Sequence, residues 1–264
     1  MKKLLLLFLL TSLSNCDSDS DTIEKDAFEL ELSSFKTTYE IDELIEINIT
    51  SDENIIEIVG STDNFETNFN QTRYTTDNSG FGKIAKVYLS FDTLDKKTIH
   101  FKIKNSNKEE IEKSIEIDII RGPAVKIKNI KIKSFYKINE TWDSEFGNED
   151  VNRLADVIFG IRKGKFHPFD KDFNFTNWFI SNVKENQGDL TWSVSSKNLY
   201  LNPNRILKLS LVDDDGNNIG ESLIYDTPYE RDIDFKQYTI SKPNFILYKD
   251  DTENLEIELE LEWP

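Results

Sequence analysis

The stretch TIHFKIKNSNKEEIEKSIEIDII, residues 98–120, decides the fold of the first half of the chain. Apolar and polar residues alternate at both of its ends, and a period of two is that of a β-strand with one buried face. The polar segment KNSNKEE (104–110) between these ends suits a hairpin connection. The stretch therefore predicts two neighbouring strands whose inward side chains are Ile99, Phe101, Ile103, Ile115, Ile117 and Ile119.

The same alternation extends towards the N-terminus from this hairpin. It recurs in FELEL (28–32), LIEINIT (44–50) and KVYLSF (86–91), which are separated by polar turn residues. Five or more short strands with no long amphipathic helix are typical of a β-sandwich. We therefore predict a first β-sandwich domain over residues 27–122.

A second domain is predicted over residues 124–264. RGP at 121–123 marks a short boundary, because proline biases the residue before it away from helix. Further strand-like runs follow, and GNEDVNRLA (147–155) has room for a turn or two of helix at most. The fold class is therefore all-β, with two β-sandwich domains in tandem. The runs are VKIKNIKIKSF, ADVIFGI, LTWSVSS, RILKLSLV, NFILYK and LEIELELEW.

Composition narrows the classes of partner and cofactor. The formal charge of −17 argues against nucleic acid, whose phosphates require Lys and Arg. One cysteine excludes an internal disulfide, and two histidines with one cysteine make a four-ligand zinc site improbable. A hydrophobic content of 38% is that of a globular chain with a sizeable core.

The N-terminus has the organisation of an export signal. MKK is a short basic region, and LLLLFLL (4–10) is an apolar run too short for a permanent transmembrane helix. LSNC (13–16) resembles a bacterial lipobox, although Asn15 stands where Gly or Ala is usual. The resemblance implies a signal peptide over 1–15 and covalent lipid on Cys16, which would anchor the protein to a membrane. The alternative is a buried free cysteine, but no strand pattern surrounds Cys16.

The segment after Cys16 indicates where in the cell the protein is located. DSDSD (17–21) cannot form a core and repels itself, which indicates an extended acidic tether over 16–26. It resembles the acidic stretch that follows the lipid-bearing cysteine in surface lipoproteins of the Bacteroidetes. That resemblance implies the outer membrane and the cell surface, with the periplasmic leaflet as the alternative. The 27–122 region resembles, in architecture alone, the Ig-like or PKD-like domains of such lipoproteins.

The second domain resembles a C2 domain in two segments, 135–161 and 206–224. A first loop in that family carries two aspartates, matched here by Asp143 and Asp156, and a third loop is matched by LVDDDGNNIGE with Asp213 and Asp215. The resemblance implies calcium held by these four carboxylates. The insertion SEFGNEDVNRLA in the first loop and the short third loop depart from the family. The alternative is a metal-free sandwich in which DDDGNN forms an ordinary turn.

An aromatic segment, FHPFDKDFNFTNWF (166–179), is the other candidate site. Two interpretations stay open for it. Its rings form core or hairpin packing, or they form a platform for a sugar, a peptide or a partner protein. The candidate partner-binding residues are Phe166, Phe169, Phe173, Phe175 and Trp178.

The sequence carries no recognisable catalytic motif. It has no G-x-S-x-G, no H-E-x-x-H and no glycine-rich phosphate loop. We therefore expect a non-catalytic outer-membrane lipoprotein that binds a protein partner or a glycan, by analogy as an accessory subunit of an outer-membrane complex. Two alternatives stay open, a calcium-dependent C2-like binding module and an extracytoplasmic hydrolase that uses a pair of the 49 acidic residues.

Overall fold

The structure is a computed structural model that describes residues 28–73, 80–216 and 219–264. The predicted signal peptide, the lipidation site Cys16 and the tether lie outside the described residues. The expected all-β fold is confirmed, since the described residues form seventeen strands and only short 3-10 helices. The strands are β1 (Leu30–Ser34), β2 (Thr38–Glu40), β3 (Ile45–Ser61), β4 (Phe69–Thr72), β5 (Gly82–Leu89), β6 (Asp95–Asn105), β7 (Glu110–Ile120), β8 (Val125–Ser134), β9 (Val157–Phe166), β10 (Phe173–Ile180), β11 (Thr191–Ser193), β12 (Leu199–Leu201), β13 (Ile206–Asp214), β14 (Ile219–Ser222), β15 (Arg231–Asp234), β16 (Phe245–Asp250) and β17 (Leu255–Glu262).

The first sandwich is built from one seven-stranded sheet that folds over at the long strand β3. The first half of β3 pairs with β1 and β5, and its second half pairs with β4 and β6. The hairpin predicted from 98–120 is present, with Ile103 opposite Ile111 across β6 and β7. The inward residues of all these strands form one core, which includes the fully buried Ile47, Phe101 and Ile58. Period-two alternation is therefore sufficient to explain this domain.

The second sandwich faces two five-stranded sheets against each other. One has the order β10-β9-β13-β14 with β15 beside β13, and the other has the order β11-β8-β17-β16 with β12 beside β8. Aromatic rings fill the space between them, as in the edge-to-face contact of Phe159 and Trp192, whose centroids are 5.0 Å apart. Such a pair stabilises a core beyond the area that it buries. GNEDVNRLA holds one 3-10 turn, Val151–Arg153, inside the loop between β8 and β9.

The two sandwiches are in direct contact. The backbone N–H of Tyr88 donates to the carbonyl of Pro168 at 2.8 Å, and Phe169 packs against the core of the first sandwich. Asn202 of the second sandwich donates its backbone N–H to Asp42 of the first at 2.9 Å. These contacts fix the junction through backbone groups as well as side chains.

Strand β9 connects the junction between the sandwiches with the opposite end of the second sandwich. Lys163, near the end of β9, contacts Asp42 at the junction. Val157, the first residue of β9, pairs with Asp213. Six residues of strand separate these points, which corresponds to about 20 Å. The first described residues lie away from the junction too, because Glu29 donates to Asp52 beyond the first half of β3. The Asp213 end of the second sandwich therefore lies on the other side of the junction from the first described residues. Among the described residues no helix is long and apolar enough to cross a membrane.

Candidate binding site at the loop end

Three segments meet where β9 begins and β13 ends. They are the β8–β9 loop (135–156), the β13–β14 turn, of which Asp215 and Gly216 are described, and the segment 223–230 after β14. We call this region the loop end. It contains two neighbouring open grooves, one acidic and one aromatic, and Trp142 lines both of them.

Asp143, Asp156 and Asp215 line the acidic groove, and three of the four aspartates predicted from the sequence cluster at its edge. One carboxylate oxygen from each of Asp143, Asp213 and Asp215 lies within 4.8 Å of the other two. Two ligand oxygens on opposite sides of one calcium ion are separated by about 4.8 Å, because each Ca–O bond is about 2.4 Å. The spacing and the hard-oxygen chemistry of the three groups therefore fit a single calcium ion.

Asp156, the fourth predicted ligand, has a different role in the described structure. Its backbone N–H donates to Asp213 Oδ1 at 2.6 Å, and its own Oδ1 accepts from the backbone N–H of Asn186 at 2.6 Å. Asp156 therefore orients Asp213 and ties the cluster to the segment after β10. Its carboxylate is outside the group of three oxygens.

Arg153 braces the loop that carries Asp143. Its guanidinium donates to the carbonyls of Asn148 at 2.7 Å and Asn139 at 3.0 Å, and its own carbonyl accepts from Trp142 at 2.8 Å. The insertion between the two first-loop aspartates is thus folded back on itself around one arginine. This arrangement places Asp143 opposite the end of β13.

Because Gly220 has no side chain, it leaves space for the carboxylate of Asp215. A Cβ at position 220 would lie 2.5 Å from Asp215 Oδ2 and 2.7 Å from the carbonyl oxygen of Asp213. Both distances are below van der Waals contact, so a larger residue would displace the carboxylate. Gly220, which belongs to the C2-like stretch LVDDDGNNIGE, therefore has a steric reason to be a glycine.

The electrostatics of the cluster disfavour three free carboxylates. Burial raises the pKa of Asp213 to about 6, and the charges of Asp143 and Asp215 act in the same direction. Burial also raises the pKa of Asp143, and so do its neighbours Glu145 and Asp156. A bound cation would remove this repulsion, because a nearby positive charge favours the ionised form.

The aromatic groove was missed by the sequence reasoning. It has a volume of about 690 Å³ and is lined by the rings of Tyr136, Trp142, Tyr225 and Tyr229. Tyr136 packs against Tyr225 with ring centroids 4.6 Å apart. These residues are scattered over 94 positions of sequence, so no local pattern joins them, and only the convergence of the loops does.

The predicted aromatic segment lies elsewhere, beside the junction and on the β9–β10 hairpin. Phe169 packs against Phe69 of the first sandwich at 6.1 Å between ring centroids, and the Trp178 ring covers Lys163 Nζ at 4.1 Å. Phe166 and Phe173 flank the guanidinium of Arg205. Phe175 lies under Lys208 Nζ at 4.9 Å. Contacts within the chain therefore engage all five candidate residues, although Phe173 remains 37% exposed.

Comparisons with known proteins give structural neighbours only. No family model matches the chain, and no curated protein matches it. The fibronectin(III)-like modules of CbhA from Clostridium thermocellum are 11% identical and align over 74% of this chain and 90% of theirs, with a TM-score of 0.27. Dimeric latent PorU from Porphyromonas gingivalis is 10% identical and aligns over 73% of this chain, with a TM-score of 0.27, but this chain spans only 20% of PorU.

Proposed function

We propose that this protein is a non-catalytic binding protein, anchored by lipid on Cys16 to the outer membrane and displayed on the cell surface. Its binding site is the loop end of the second sandwich. The tether and first sandwich act as a spacer, and the loop end faces a protein or glycan ligand.

The observation that carries this proposal is the pair of grooves that share Trp142 at the loop end. Grooves of several hundred Å³ with a few convergent polar groups are the usual form of ligand sites. They lie at the end of β9 remote from the junction. A ligand can therefore reach them without disturbing the contact between the sandwiches.

Among the residues that the structure describes, a hydrolase has less support than a binding site. His100 packs against Phe65 in the first sandwich, and His167 Nδ1 pairs with Asp170 on the surface at 2.9 Å. Asp213 has a raised pKa, as a general acid requires, but it is only 3% exposed. A substrate would not reach its carboxyl group.

Three experiments test the proposal. Metabolic labelling with palmitate should modify the wild type and not Cys16→Ala, and protease added to intact cells should digest the wild type. Pull-down from detergent-solubilised outer membrane should capture a ligand with the wild type and with Phe35→Ala, and should lose it with Trp142→Ala. Phe35 is 94% exposed on the first sandwich and lines neither groove of the loop end. Protection from protease, or equal capture by all three proteins, would contradict the proposal.

A second candidate function is calcium-dependent binding at the acidic groove, favoured by the spacing of Asp143, Asp213 and Asp215. Calcium would hold the β8–β9 loop against the β13–β14 turn and thereby fix Trp142, the neighbour of Asp143. Calorimetric titration of the full chain with calcium should give one site, and Asp215→Asn should weaken it at least tenfold. Asp251→Asn, on the exposed β16–β17 turn, should leave it unchanged. No binding at millimolar calcium would remove this candidate.

A further inference from the structure

We propose that the aromatic groove at the loop end binds a neutral carbohydrate, whose sugar rings stack on Tyr225, Tyr229 and Trp142. The inference rests on the proposed function, in that it names the ligand class of that binding end. It is carried by the rings, by the way in which their loop is fastened, and by the polar groups between them.

The exposure of the tyrosines is the first argument. Tyr225 is 64% exposed and Tyr229 is 54% exposed, although both belong to a groove and not to a convex surface. A pyranose ring has one face of C–H groups and an edge of hydroxyls, so its apolar face packs on an aromatic ring while its hydroxyls stay hydrated. Tyrosine and tryptophan suit such a ligand because one part of each side chain is apolar and another forms hydrogen bonds.

The loop that bears the tyrosines is fixed in place, which is the second argument. Glu253, only 7% exposed, accepts the backbone N–H groups of Tyr225 at 2.9 Å and Asp226 at 3.2 Å. Arg231 donates to the carbonyls of Asp226 at 3.4 Å, Pro228 at 2.8 Å and Glu230 at 3.1 Å. Two charged side chains thus hold the backbone of this loop, since Glu253 accepts from its N–H groups and Arg231 donates to its carbonyls. Aromatic rings presented on a fixed backbone lose little conformational entropy when a ligand binds.

Arg231 is itself held by two carboxylates, those of Asp250 and Glu253. Its Nε donates to Asp250 at 3.1 Å, and its second terminal nitrogen lies 3.6 Å from Glu253. The loop of Tyr225 and Tyr229 is therefore tied to the turn between β16 and β17. Packing of the core does not require these two rings, which stand outside it.

The polar lining is the third argument. Thr141 and Glu221 line the same groove as the rings, and a hydroxyl group and a carboxylate are suitable partners for sugar hydroxyls. A volume of about 690 Å³ accommodates an oligosaccharide of a few rings. The carboxylates of the neighbouring acidic groove and the formal charge of −17 disfavour binding of an acidic sugar. A neutral carbohydrate matches the polar lining and the volume of the groove and the negative charge around it.

Affinity electrophoresis tests the inference. The detergent-solubilised full chain is run through native gels that contain a soluble neutral glucan, mannan, xylan or galactan, with calcium and with EDTA. At least one polysaccharide should retard the wild type. The double variant Tyr225→Ala/Tyr229→Ala should lose the retardation, and its calorimetric affinity for the matching oligosaccharide should fall at least tenfold.

Phe35→Ala is the control, because it removes an even more exposed aromatic ring from the first sandwich and should bind as the wild type does. Thermal unfolding of each variant verifies that it is folded. No retardation of the wild type in any gel, or retardation that survives the double variant, overturns the inference. A protein captured in the pull-down through Trp142, with no retardation in the gels, would leave the binding function standing and refute the carbohydrate.

Discussion

Lys163 of the second sandwich and Asp42 of the first form a buried ion pair, with 2.8 Å between Nζ and Oδ1. The side chains are 1% and 5% exposed, and Asp92 and the carbonyl of Tyr200 lie near the same ammonium group. A pair as dry as this fixes orientation, because a displacement of one domain along the other that kept both groups buried would leave each charge uncompensated. We conclude that this ion pair helps to hold the two sandwiches in a fixed relative orientation.

Lys163→Met should destabilise the chain strongly. The methionine keeps most of the volume but leaves Asp42 buried without its cation, which typically costs about 3–5 kcal/mol. Urea denaturation measures the change in the free energy of unfolding. Lys96→Met is the control, because Lys96 pairs with Glu116 on the open surface, where such pairs contribute about 0–1 kcal/mol. Similar losses in the two variants would show that the junction is not held by this pair.

Asp213→Asn should raise the stability of the calcium-free protein at pH 7. Burial raises the pKa of Asp213 to about 6, so in the folded state its ionised form carries a penalty that the unfolded chain lacks. The resulting loss of folding stability grows as the pH rises from about 4 to about 6, and it is complete above about pH 6. The amide oxygen can still accept from the Asp156 N–H, so the neutral variant should gain about 2–4 °C in Tm per kcal/mol of relieved penalty.

The pH dependence distinguishes this cause from others. At pH 4 the folded wild type already has Asp213 protonated, so the gain should vanish there. If calcium occupies the groove, saturating calcium at pH 7 should reverse the sign, because the variant loses a ligand that stabilises the folded state. A gain in Tm that is equal at pH 4 and pH 7 would contradict the assigned pKa.

Gly220→Ala should weaken calcium binding at least tenfold. The new Cβ would lie 2.5 Å from Asp215 Oδ2, and the backbone carbonyl of Asp213 at 2.7 Å has little freedom to move away. Overpacking of this kind also costs about 1–3 kcal/mol of stability. Gly147→Ala, where no atom lies within 4 Å of the added Cβ, is the control for calorimetric titration with calcium. Equal affinities in both variants would mean that Asp215 is not a ligand.

The sequence predicts much of this fold because alternation is a local property. The strand LEIELELEW alternates over its full length and the β6–β7 hairpin over most of its length, and both occur as strands with the expected faces buried. Asp213 and Asp215 could be placed together for the same reason, since residues two apart on a strand share a face. Their proximity to Asp143 followed from the C2 resemblance.

The aromatic residues were harder to interpret because their roles depend on long-range contacts. Phe169 looks like its neighbours in sequence, but it alone among the five candidates packs against the core of the first sandwich. Trp178 and Phe179 are both partly buried against the second core, since the pairing register shifts between Asn177 and Phe179. A strict alternation would have exposed one of the two. Tyr225 and Tyr229 follow no strand pattern, so their convergence with Trp142 could not be anticipated.

Glu253→Ala should loosen the loop that presents Tyr225 and Tyr229. The substitution leaves the N–H groups of Tyr225 and Asp226 without their acceptor in a partly buried position, which costs about 1–3 kcal/mol. Hydrogen exchange in peptides covering 223–231 should accelerate, because local opening becomes easier. Glu258→Ala is the control, since Glu258 pairs with Lys133 at the half-exposed surface of β17 and should leave that exchange unchanged. Unaltered protection in Glu253→Ala would show that Arg231 alone fixes the loop, and carbohydrate affinity should then also be retained.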